Sequence, residues 1–166
     1  MFETEPTRLP VTGRAYDRKA ARLFEAGIAA CDPKADFATR VAIALRSCLS
    51  LLAADPTLAR MLIVSAELSE ETLRRRQYWL ERYAVLLGAA ATSLDDHPGV
   101  EFMELTLVSG VSYLIARQVL LGKTEDLEQQ LPSLLEFILV FYMDRDEAAR
   151  IAQSCPELDS NQRPIP

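Results

Sequence analysis

The chain holds one histidine, three cysteines and six glycines among 166 residues, and each scarcity removes a class of function. His97 alone cannot build a histidine-rich metal site, and it stands in a turn beside Asp95 and Asp96. Cys31, Cys48 and Cys155 are odd in number and widely spaced, which fits a reducing compartment better than a disulfide framework. Few glycines leave no Gly-rich loop to cradle a phosphate. Basic charge is also short. The formal net charge is −6, against the clustered positive charge that drives nucleic-acid binding. Long apolar runs are missing as well. The late stretch Leu134–Met143 is interrupted by Glu136 and falls well below the ~20 residues a bilayer requires. Glu3 and Glu5 mark an N-terminus without a signal-peptide pattern. A cytoplasmic protein without membrane contact is the expectation.

What is present favours helix. Ala, Leu, Glu and Arg dominate, and β-branched alternation is scarce. Apolar residues make up 49% and charged residues 25%, ordinary values for one folded domain. Residues 1–13, with Pro6 and Pro10, read as an arm. Arg14–Ala30 reads as a first helix ended by Asp32-Pro33. Phe37–Ala54 follows, with Phe37, Val41, Ala44, Leu45, Cys48 and Leu52 on one stripe. Asp55-Pro56 is a stop and a start, with Asp55 as cap and Pro56 at the first helical position, opening a helix to Leu68. Ser69 caps a long helix to about Thr92, where Glu70 and Glu71 suit the positive end of the helix dipole. Asp95–Gly99 reads as a turn. Val100–Leu121 is helical and is ended by Gly122. Thr124–Gln130 is a short helix or turn, Pro132–Met143 a helix, and Asp144–Ala152 one or two last turns. Residues 153–166 read as a disordered tail. The expected fold is all-α, with about seven helices and no sheet.

Two late helices are apolar on more than one face. In Val100–Leu121, Leu107, Val111, Leu114 and Ile115 form one side, and Phe102, Tyr113 and Leu120 another. Ser109, Ser112 and Ala116 make a strip of small residues between them. Pro132–Met143 is apolar almost all round, and such a helix must be covered all round. A second copy of the chain is the simplest cover. The expected homodimer interface is Ser109, Ser112, Tyr113, Ala116, Leu134, Phe137, Ile138 and Phe141.

The hinge Leu51–Glu67, "LLAADPTLARMLIVSAE", the long helix Leu68–Ala91, and the closing segments "SGVSYLI…LLGK" and "LPSLLEF" resemble the C-terminal regulatory domain of TetR-like transcriptional repressors. The likeness covers roughly residues 15–152, within a ligand-binding and dimerisation domain of residues 14–152. It rests on packing patterns and carries no catalytic motif. It implies a four-helix dimer interface from the last two long helices, and a pocket for a small, mostly hydrophobic effector among the earlier ones. The family's three-helix DNA-reading unit has no counterpart in residues 1–13, so DNA binding by this chain alone is not expected.

The residues named for such a pocket are Phe24, Phe37, Leu45, Met61, Arg76, Tyr78, Trp79, Tyr83 and Met103. They are aromatic, aliphatic or Met side chains from separate helices, with Arg76 as an anchor for an acidic group. Each has a plainer role as core packing, and Arg76 as a snorkelling side chain. Arg74 and Arg75 are expected to face water, and Cys48 to be inert core. No catalytic constellation, metal ligand set or cofactor motif is visible, so no enzyme is expected. An effector-sensing dimer is the leading reading, and a dimeric interaction module without a ligand is the alternative.

Overall fold

Among the described residues, seven α-helices, one π-helical turn and one 3-10 helix build the fold, with no strand. The computed structural model describes residues 13–64, 69–92, 94 and 102–155. The arm before residue 13, the Asp95–Gly99 turn with His97, the end of the Leu51–Glu67 hinge and the tail beyond residue 155 lie outside them.

Local chemistry sets most helix ends. Helix α1 spans Gly13–Ala29. Helix α2 spans Phe37–Ala54 and is capped by Asp36, whose carboxylate accepts from the Thr39 amide at 2.9 Å. That bond holds the Asp36 carboxyl below its ordinary pKa. Asp55 caps the short helix α3, Pro56–Ala59, through the Leu58 amide at 2.9 Å, with Pro56 in the first turn as expected. The chain then widens into a π-turn over Arg60–Val64, which the sequence reading treated as continuous α-helix. Helix α4, Glu70–Ala91, begins at Ser69, whose hydroxyl accepts from the Thr72 amide at 3.1 Å. Helix α5 spans Met103–Leu120 and ends at Gly122, which turns at φ 73°. The Lys123 amide reaches back to the Gln118 carbonyl at 2.9 Å, the six-to-one bond of a glycine-ended helix.

The expected last helix is shorter, and the one after it longer. Following a 3-10 helix over Thr124–Gln130, α6 spans Leu131–Leu139. Beyond it, the Phe141 and Tyr142 amides bond three residues back, to Ile138 and Leu139, which tightens the chain out of α geometry. Asp144 then caps α7, Arg145–Ser154, a helix of ten residues rather than a turn or two.

Helix α2 takes the central place. It packs on α1, α3, α4, α6 and the 3-10 helix. By length and composition it is the one described helix apolar enough to cross a membrane, yet Leu49 and Leu52 are sealed in the core. The cover that the sequence reading sought for α6 is thus needed first by α2. Helix α6 packs on α2 and α7 and buries Leu131, Leu134, Leu135, Ile138 and Leu139.

Two helix glycines test the packing. A Cβ on Gly88 would meet nothing nearer than Glu104 Cγ at 3.6 Å. Gly88→Ala is expected to stabilise the subunit by about 0.5–1 kcal/mol, through lower unfolded-state entropy and better helix propensity. A Cβ on Gly110 would lie 3.0 Å from Phe137 Cζ. Gly110→Ala is therefore expected to destabilise by about 1 kcal/mol, because strain exceeds the propensity gain. Urea unfolding of both variants checks the pair, and a gain for Gly110→Ala would contradict this packing.

Candidate functional site

Helices α1 and α4 bring part of the expected pocket together. Phe24 on α1 meets Trp79 and Tyr83 on α4 edge-on, with ring centroids 5.6 and 4.9 Å apart. Tyr78 meets Trp79 at 5.5 Å. The Trp79 indole N–H donates to Asp17 at 3.1 Å, and Asp17 also pairs with Arg75. Tyr83 leans on Cys48, with hydroxyl and sulfur 3.9 Å apart. Burial pushes the Cys48 thiol up to about 11 and the Tyr83 phenol higher still, so both stay neutral at physiological pH. Tyr16 closes the same end of the subunit. Its hydroxyl donates to the Leu62 carbonyl at 3.2 Å, and burial raises its pKa to about 12.

The other expected lining residues are dispersed. Phe37 packs against Tyr142 at 4.8 Å, because α2 begins beside the α6–α7 turn. It lines an open groove of about 610 Å³ with Leu94, Met143, Glu147 and Ile151. Leu45, Met61 and Met103 lie against the core, partly buried. Arg76 reaches α5, where an Nη donates to Ser112 Oγ at 3.2 Å. Tyr78 is 50% exposed and so stands on the surface rather than inside. Arg75, expected in water, holds Asp17 and Glu71. Among the described residues no group of His, Cys, Asp and Glu is placed to hold a metal ion.

The expected interface residues divide in two. Tyr113 is 67% exposed and Phe141 49%. Ser109, Ala116 and Phe137 are half-buried, and the Phe137 ring sits over Gly110 of the same chain. Leu134, Ile138 and Ser112 are instead buried within the single chain. Leu134 and Ile138 lie on the buried side of α6, which packs on α2 and α7, and Ser112 accepts from Arg76. With α6 packed on α2 and α7, its Phe137, Val140 and Phe141 side remains open.

Two functional candidates were missed. Arg82 lies over the rings of Phe24, Tyr78 and Trp79, and Asp17 anchors the indole. The spacing of Tyr78 and Trp79 four and three residues before Arg82 was a readable signal. The contribution of Phe24 and Asp17, from another helix, was not.

No protein-family profile matches the chain, and no curated protein or solved structure matches it either.

Proposed function

We propose that this chain is the dimerising, effector-sensing part of a TetR-like transcriptional regulator. The apolar face left open on α5 and at the end of α6 carries the reading. Tyr113, Leu114, Leu120 and Leu121 share one side of α5, and Val140 and Phe141 continue it beyond Phe137. Soluble monomers rarely leave a contiguous apolar face of this kind to water. A second copy, related by a two-fold axis, covers it with the same residues. The effector is small and mostly hydrophobic, and α1 transmits its binding to a DNA reader joined to the domain. With its acidic balance, this chain does not bind DNA by itself. All three cysteines are free thiols, in keeping with the cytoplasm as its place of action.

Sedimentation of the purified chain at micromolar concentration tests the reading. A dimer is the expected result, and a monomer would overturn it. One observation favours the alternative, a dimeric interaction module without effector. Phe24 touches both Trp79 and Tyr83, so these rings occupy space between α1 and α4 themselves. A panel of hydrophobic effectors that leaves the melting temperature of the dimer unmoved would select that alternative.

A further inference from the structure

Arg82 lies against three aromatic rings at once. Its guanidinium carbon is 4.9 Å from the Phe24 centroid, 5.5 Å from Trp79 and 5.8 Å from Tyr78. One Nη also donates to the Tyr78 hydroxyl at 3.1 Å. The rings are steeply crossed, by 60° between Phe24 and Trp79 and by 79° between Tyr78 and Trp79, so they form walls rather than a stack. Phe24 is buried and makes the floor, backed by Tyr83. Asp17 fixes the indole of Trp79 from outside the box. Tyr78, the outer wall, also borders a surface groove of about 490 Å³ lined by Asp17, Glu71, Arg74 and Arg75. Two carboxylates and two guanidinium groups leave that groove without a net charge to repel a cation. Phe24 and Trp79 are thus anchored and Tyr78 rests on Trp79, while their occupant is an exposed side chain.

We propose that Phe24, Tyr78 and Trp79 form an aromatic cage for a small organic cation of the alkylammonium class, and that Arg82 is a tethered occupant which the ligand displaces. This deepens the sensing half of the function proposed above by giving the mostly hydrophobic effector a positive charge on an apolar body, and it is independent of the dimer face. Ring faces attract a cation without hydrogen bonds. An alkylammonium carries its charge on a compact apolar body that can touch all three walls together, whereas a planar guanidinium presents its faces to two directions. Arg82, once displaced, regains water at the helix surface.

Trp79 is the sole tryptophan, so its fluorescence reads the cage directly. The full chain and its Arg82→Ala variant are titrated with choline and with its neutral isostere, 3,3-dimethylbutan-1-ol. Choline is expected to change the emission, and the isostere to leave it unchanged at the same concentration. Arg82→Ala is expected to tighten choline binding about 10-fold by removing the competitor. The substitution is at an exposed helix position where alanine is favoured, and a circular-dichroism melt confirms its fold. Adding Tyr78→Ala to that variant is expected to remove most of the gain. Equal responses to choline and isostere, no response to either, or equal choline affinity with and without Arg82 would overturn the cage. Sedimentation of the same samples reports the dimer separately, so failure of the cage is distinct from failure of the assembly.

Discussion

Replacing Phe141 with aspartate is expected to convert a micromolar dimer into a monomer, while the subunit keeps its fold. Phe141 is 49% exposed within one subunit and touches Phe137 with centroids 6.1 Å apart, so the interior does not depend on it. In the proposed dimer the same ring would be covered. A carboxylate there loses water and gains no partner, which costs several kcal/mol, and a two-fold axis brings in the charge twice. Dimer affinity is expected to fall by about 100-fold or more, since each 1.4 kcal/mol is a factor of ten. Leu135→Ala supplies the contrast. Leu135 is fully buried on the inner side of α6, and truncation there is expected to cost about 2–5 kcal/mol of subunit stability. Sedimentation and urea unfolding of the two variants separate the roles. Phe141→Asp that stays dimeric, or that unfolds the subunit as Leu135→Ala does, would remove the face from the interface.

What was legible in the sequence was local. Asp55-Pro56, Ser69 and Gly122 each act on amides or carbonyls within a turn of themselves, and each ends or starts a helix where the residue types require. The all-α class followed from the same kind of information. Which helix is surrounded did not. Helices α2 and α6 both read as richly apolar, and nothing in either run says that α2 lies under α1, α3, α4 and α6. Assigning full cover to α6 therefore put Leu134 and Ile138 outside, whereas the packing of α6 on α2 and α7 buries both. Phe37 shows the same limit. It shares a stripe with Leu45 and Cys48, yet its ring partner is Tyr142, far along the chain. The candidate site was half legible for this reason. Tyr78, Trp79 and Arg82 belong to one helix, with spacing that is visible in sequence. Phe24 and Asp17 join them only through the docking of α1 on α4.

Raising the pH from 8 to above 11 is expected to unfold the subunit, with the loss beginning near pH 9. The cause is a set of phenols and thiols that fold in their neutral form. Burial raises Cys48 from 9.0 to about 11 and Tyr16 from 10.0 to about 12. Burial likewise raises Cys31, Tyr83 and Tyr142, and for Tyr142 the charge of Glu104 adds to it. In the unfolded chain these groups release protons near their ordinary values, while the folded chain still holds them. Above pH 9 the unfolded state therefore binds fewer protons, and stability falls with each further unit of pH. Below pH 9 the contribution is complete. For Tyr16 alone, a shift of two units corresponds to about 3 kcal/mol lost between pH 10 and 12, as an order of magnitude. Tyr16→Phe isolates that share. At pH 7.5 the variant is expected to be about 1 kcal/mol less stable, because the Leu62 carbonyl loses its donor. At pH 11 the variant has no phenol to ionise in either state, so the gap is expected to close or reverse. Urea unfolding at pH 7.5, 9, 10 and 11 reads both effects. Stability that stays level to pH 11, or a Tyr16→Phe variant with the same pH slope as the native chain, would mean that Tyr16 meets water in the folded state and does not close this end of the subunit.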